Sequence, residues 1–274
     1  MHVSKEHNLE GIVLIQSLYR LMIELTNGRL TSALLKRFST SRLSRFFIPS
    51  FAKVYNLKLD EMEKPLHAFP TLHELFVRRL KAGARIHNSN LNSVASPVDA
   101  VFEEIGQIGE NNEITVKGKT YSIAEMLGKQ EALAKYIGGT YILLYLSPSH
   151  YHRIHSPITG EITDQWTLGK KSFPVNRLGL KYGRQTLSKN YRRITEIKHE
   201  YGHVAVVKVG AMFVNSIEMV HEGSQINKGD ELAYFTFGST VVLLFEKDSF
   251  AVNKDLQTPI EVIVGQELGE MSHH

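Results

Sequence analysis

The sequence predicts an α+β fold, a helical N-terminal segment leading into a predominantly antiparallel β body. Two observations predict it. Residues 9–59 carry apolar side chains at helical spacing, whereas beyond Pro97 short apolar runs alternate with glycine-marked turns. The expected division is a helical segment over 1–59 and a catalytic domain over 60–274.

In the first segment Leu14, Leu18, Leu21, Met22 and Leu25 recur on one helical face, and Asn27-Gly28 is the expected stop. A second helix is expected over 30–38, and a third from Ser41 to a break at Pro49. Thr71-Leu72-His73-Glu74 reads as a capping box opening a short helix that ends near Arg79. Strands are expected at Val101–Ile105, Glu113–Val116, Thr140–Leu146, His203–Val209, Met212–Ile217, Glu231–Phe235 and Thr240–Phe245. Gly118, Gly138-Gly139, Gly223, Gly229 and Gly238 mark turns, and Ile123–Leu127 and Glu131–Tyr136 are helical.

The 274 residues, 42% hydrophobic and 22% charged, are those of an ordinary globular chain. With no cysteine, disulfides and thiolate chemistry are excluded. The net charge of +4 is unevenly spread. Between Leu25 and Leu59 there is no Asp or Glu, while Arg29, Lys36, Arg37, Arg42, Arg45, Lys53 and Lys58 alternate with Phe38, Phe46, Phe47, Phe51 and aliphatic residues. Such a segment suits an anionic membrane surface, and it equally suits helices packed on the main domain with a solvated basic face. Nucleic acid also attracts clustered cations, but the wealth of Phe and aliphatic residues and the lack of a known module argue against it. Gly11–Ile15 is too short an apolar run to span a bilayer, and no secretory cleavage pattern follows it. The chain is expected on the cytoplasmic side, soluble or peripherally attached.

Four places carry residues suited to chemistry. Ser147–Pro157 holds His150, His152 and His155 in a loop bracketed by prolines. Imidazole is a common zinc ligand, yet this spacing matches no zinc signature and no cysteine or adjacent carboxylate supports one, so no metal is expected. Acid–base work is the rival role, and simple hydrogen bonding within the loop is the reading preferred for His150. In Ser96-Pro97-Val98-Asp99, the carboxylate either orients a histidine or simply caps a turn. Gly210-Ala211 lets backbone approach closely, or marks a bulge. Phe237-Gly238-Ser239-Thr240 sets an unshielded glycine carbonyl directly before a hydroxyl, at the mouth of a buried strand. That hydroxyl can attack its own peptide bond if a base takes its proton.

Ser96–Asp99, Tyr151-His152-Arg153-Ile154-His155, Val209-Gly210-Ala211 and Phe237–Thr240 stand in the order found in phosphatidylserine decarboxylases, and the chain resembles that family. Phe76-Val77-Arg78-Arg79-Leu80 and Ser172-Phe173-Pro174-Val175-Asn176 also look like it, so the similarity runs from the first helices to Phe245. It implies a chain that makes its own cofactor. His155 takes the proton of Ser239, Asp99 orients His155, and Ser239 attacks the Gly238 carbonyl. Elimination and hydrolysis then leave a large chain, 1–238, and a small chain, 239–274, that remain associated, with a pyruvoyl group in place of Ser239. The carbonyl condenses with the serine amine of the lipid headgroup and accepts the electrons left by CO₂, as pyridoxal phosphate does elsewhere. His152 is the implied proton donor to carbon, and phosphatidylethanolamine the product. The basic segment docks on the anionic leaflet, and a homodimer is an open assembly state. The family usually has glycine after the motif Asp, where this chain has Ala100. If that position needs a positive φ, alanine strains the turn holding Asp99.

Two other functions stand as alternatives. A lipid-directed serine hydrolase would employ Ser239, His155 and Asp99 on an external ester, but Phe237 and Val241 stand where the two glycines of a nucleophile elbow belong. A non-catalytic membrane-binding module would need none of them. Ser239→Ala separates the three: an uncut inactive chain from a parent that is cut, an inactive chain from a parent that is never cut, or no loss.

Overall fold

A computed structural model describes residues 29–173, 175, 185–211, 217–236 and 238–272. The helices expected before Gly28, Pro174 and Asn176 of the Ser172–Asn176 motif, most of the run Met212–Ile217, and Phe237 lie outside the described residues. The described helices are α1 (Arg29–Thr40), α2 (Ile48–Val54), α3 (Leu72–Phe76), α4 (Ile123–Leu127), α5 (Gln130–Tyr136) and α6 (Thr186–Lys189). Strands β1 to β9 are Ser93–Ala95, Ala100–Gln107, Glu113–Val116, Lys119–Ser122, Thr140–Leu146, Arg153–His155, Gly160–Leu168, Arg192–His199 and Gly202–Gly210. Strands β10 to β16 are Ile217–Met219, Gln225–Ile226, Glu231–Phe235, Ser239–Phe245, Phe250–Val252, Ile260–Val262 and Glu267–Met271.

The α+β expectation holds. The frame is an eight-stranded antiparallel sheet in the order β11-β7-β8-β9-β13-β5-β2-β15. Near its centre, β13 pairs along its whole length with β5 and β9, and all seven of its residues are buried. Val241, Leu243 and Phe245 face one core with Phe102, Leu144 and Val206; Val242 and Leu244 face another with Tyr121, Met126 and Val207. The first core is closed by two three-stranded sheets, β1-β16-β14 and β10-β12-β6. The second is closed by α4, α5 and the hairpin β3-β4. Because both faces are covered, these strands read as continuous apolar runs.

The N-terminal helices bring a separate cluster, in which Ile48, Ala52, Leu57, Met62, Phe69 and Leu75 pack together. Pro49 does not break the chain as expected. It stands in the first turn of α2, where its missing N–H costs nothing. Thr71 Oγ1 accepts the Glu74 N–H at 3.1 Å, the cap that the sequence pattern predicts.

One topological feature positions the site. β9, β13 and β5 are neighbours in the large sheet, and β10, β12 and β6 are neighbours in the same order in a small one. The chain therefore passes between the two sheets at three adjacent strands: β9 ends at Gly210, β13 begins at Ser239, and β5 ends at Leu146. Gly210-Ala211, Gly238-Ser239 and the histidine loop all fall at this corner between the sheets.

Candidate active site

Ser239 is the first residue of β13, opposite Gly210 on one side and Leu146 on the other. Gly210 brings no side chain up beside the serine. Strand alternation turns the Ser239 side chain to the face of Val241 and Leu243, toward the small sheets that carry the histidines. Its Oγ is fully buried and, among the described residues, has no hydrogen-bond partner. A buried hydroxyl left unpaired costs about 1–3 kcal/mol, so its isolation calls for an explanation. The carbonyl before it is not isolated: Ala211 N–H donates to Gly238 O at 2.9 Å. A donor on that oxygen draws electrons from the carbonyl carbon and stabilises an alkoxide formed there. Thr240 Oγ1, on the opposite face of the strand, is also buried and unpaired among the described residues.

His152 is fully buried, its ring against Phe76 with centroids 3.8 Å apart. Nδ1 lies 2.9 Å from His150 O. A carbonyl only accepts, so Nδ1 carries the proton and Nε2 is the bare nitrogen. Among the described residues that Nε2 has no partner. Burial first, and then the Arg78 cation, hold His152 well below the usual histidine range, so the ring is neutral at pH 7.

His155 is engaged at both nitrogens. Nδ1 donates to Gly229 O at 2.7 Å, and Nε2 accepts from Tyr151 Oη at 3.3 Å. Burial lowers its pKa, opposed by the bond to Gly229 and by the charges of Glu231 and Asp99. Burial raises the Tyr151 phenol, so it stays a donor. His150 accepts from Ser147 N at 3.0 Å and meets Glu261 at 2.9 Å, a loop role. Among the described residues no three His, Asp or Glu side chains gather as metal ligands.

Asp99 lies beside the histidine loop, since His155 N donates to Pro97 O at 2.8 Å. Its carboxylate, however, bonds to Arg85 and not to a histidine. Arg85 Nε donates to Oδ1 at 2.9 Å, Nη2 donates to Oδ2, and Val264 N donates to Oδ1 at 2.8 Å. Arg85 Nη2 also reaches Glu61 Oε2 at 2.8 Å. Sequence reasoning missed Arg85, and nothing near it in the chain signals its partner. Ala100, the departure from the family pattern, opens β2 as ordinary strand. It is not among the positive-φ residues, so the feared strain is absent.

The model of the phosphatidylserine decarboxylase family matches residues 72–270. A phosphatidylserine decarboxylase proenzyme of Geobacillus sp. (strain WCH70) is 60% identical over 256 residues, 93% of this chain and 99% of the relative. Another from Bacillus cereus is 54% identical over 259 residues, 94% of this chain and 99% of that protein.

The chain belongs to the phosphatidylserine decarboxylase family. It decarboxylates phosphatidylserine and is made as a proenzyme. In this decarboxylase the histidine loop, Gly210-Ala211 and Gly238-Ser239 meet at one corner of the fold and Ser96–Asp99 lies beside the histidine loop, although the motifs are spread over more than half the chain.

Proposed function

We propose that this decarboxylase makes its own cofactor, by attack of Ser239 Oγ on the Gly238 carbonyl carbon. The observation that carries the reading is a buried serine hydroxyl, unpartnered among the described residues, directly after a carbonyl that already accepts the Ala211 N–H. As the Oγ–C bond forms, the Oγ proton passes to a histidine. The Gly238–Ser239 C–N bond then breaks, the nitrogen takes a proton, and an ester remains. Loss of the Ser239 Cα proton with cleavage of Cβ–Oγ releases a chain ending in the Gly238 carboxylate. The dehydroalanine left on the small chain adds water, loses ammonia and becomes the pyruvoyl group. No oxidant is needed.

The free lone pair of His152 Nε2 favours His152 as the base, and the same nitrogen is suited to deliver a proton to carbon after CO₂ has left. His155 is the second reading, favoured by the Asp99 charge beside it and by the Gly229 bond that keeps Nε2 basic. A pyruvoyl carbonyl supplies the electron sink that decarboxylation of an amino acid requires. Cutting before β13 leaves the small chain between β5 and β9, with every β13 residue paired on both sides, which favours lasting association.

The membrane reading rests on the N-terminal helices. Leu34, Leu43, Phe46 and Phe47 are exposed there among the exposed cations Lys36, Arg37, Arg42 and Arg45. Apolar groups that dip into a bilayer beside cations at the headgroups suit peripheral docking on an anionic leaflet, on the cytoplasmic side. Among the described residues no helix is long and apolar enough to cross a membrane.

Ser239→Ala tests the cofactor reading. The expected product is one uncut chain without decarboxylase activity, and a chain still cut at this point would overturn it. His152→Ala and His155→Ala distinguish the two bases by which one abolishes cutting.

A further inference from the structure

The end of α3 touches the histidine loop at three successive residues. Phe76 covers a face of the His152 ring, the Val77 carbonyl accepts Arg153 Nε at 3.1 Å, and Arg78 reaches beneath the loop. Arg78 is 5% exposed, and among the described residues no carboxylate pairs with it. Its donors go to backbone oxygens: Nη2 to Ser149 O at 3.0 Å and His150 O at 3.1 Å, and Nη1 to Leu75 O at 3.4 Å. Burial brings its pKa down to about 10, with Asp99 opposing. An arginine buried without a carboxylate is a costly way to brace a loop.

The His150 carbonyl is the point of convergence. It accepts Arg78 Nη2 on one side and His152 Nδ1 on the other. We propose that Arg78 is the positioning residue of His152: by gripping the carbonyls of 149 and 150 it holds the acceptor that keeps the proton on Nδ1 and leaves Nε2 bare. Arginine suits this because its planar fork holds two acceptors at fixed angles, which lysine does not. The Arg78 charge adds to burial and to His150 in keeping the ring neutral; these are the charged groups acting on it, while Phe76 covers its face. The functional consequence rests on the reading of His152 as the base, but the positioning does not.

The test uses the full-length Ser239→Ala chain with ¹⁵N-labelled histidine, the His152 signals being assigned by His152→Gln. With Arg78 present, Nδ1 is expected protonated and Nε2 bare, unchanged from pH 8 to below 6.5. Arg78→Met is expected to mix the tautomers and move the titration midpoint up by about one pH unit. Arg78→Lys is expected to keep the low midpoint yet mix the tautomers. An Nε2–H form with Arg78 present overturns the proposal without need of an Arg78 variant, and so does an unchanged His152 in a folded Arg78→Met chain. Cutting of Arg78→Met with Ser239 intact is followed separately against pH. If the His152 signals change but cutting does not, the positioning stands and His152 is not the base.

Discussion

Replacing Arg85 with methionine strands a buried carboxylate. Side-chain exposure is 8% for Arg85 and 9% for Asp99, and the guanidinium binds both carboxylate oxygens. Burial works against the Arg85 charge, but its bonds to Asp99 and Glu61 outweigh burial and raise its pKa. Removing one partner of such a pair costs about 3–5 kcal/mol, because the other charge remains out of water. Val264 N still donates to Asp99, so the lower end applies, about 3 kcal/mol. Urea unfolding of the Ser239→Ala chain, which cannot mix cut and uncut forms, reads this loss as a lower midpoint. Asp99→Asn added to Arg85→Met removes the stranded charge and is expected to recover more than half of the loss. The cycle therefore shows a coupling of at least about 1.5 kcal/mol. A cost below about 1 kcal/mol for Arg85→Met, or additive effects, would refute the view that Asp99 is a buried anion held by Arg85.

Other outcomes follow from the same geometry. Since His152 lies below its ordinary 6.5, its neutral form is complete at pH 7–8, and cutting is expected to slow only as pH falls below 6.5; a rate still rising between pH 7 and 8 would contradict this. Gly229 has φ +90°, and an added Cβ would meet the His87 ring at 2.7 Å. Gly229→Ala is expected to cost about 1–3 kcal/mol in unfolding experiments, with His87→Ala returning only the steric part. Lys208 is fully buried on the Ser239 face, bonded to Thr195 Oγ1 and Val206 O, and burial, then Arg193, holds it well below the ordinary 10.5. The unfolded chain thus binds a proton below pH 10.5 that the fold refuses, and stability falls as pH drops through that range. Lys208→Met is expected to be more stable than the parent at pH 7, by a margin that shrinks toward pH 10; a margin independent of pH would contradict it.

The strands legible in the sequence are those with a continuous apolar run or a clean alternation of polar and apolar residues. Glu231–Phe235, Thr140–Leu146 and Glu113–Val116 coincide with observed strands, and Thr240–Phe245 misses only Ser239. β7 and β8 escaped because their alternation is carried by charged and polar residues. In β8, Arg192 is buried against the carbonyls of Glu125, Met126 and Asn190, and Glu196 against Lys135. Most of those partners lie some sixty residues away, so nothing local signals that the charges are satisfied. The site divides similarly. Glycine before a buried hydroxyl, and three histidines between prolines, are local patterns, and the fold brings them to one corner. Which histidine nitrogen is free depends on Tyr151, Gly229 and His150 O meeting in space, and Asp99 answers to an arginine that no local pattern pairs with it.

The central claim is that Ser239 turns its own peptide bond into the cofactor, and the intact mass of the purified protein under denaturing conditions tests it most directly. The account predicts two chains divided between Gly238 and Ser239, the smaller beginning in a blocked pyruvoyl group. A single chain near 31.0 kDa that nevertheless decarboxylates phosphatidylserine would contradict it.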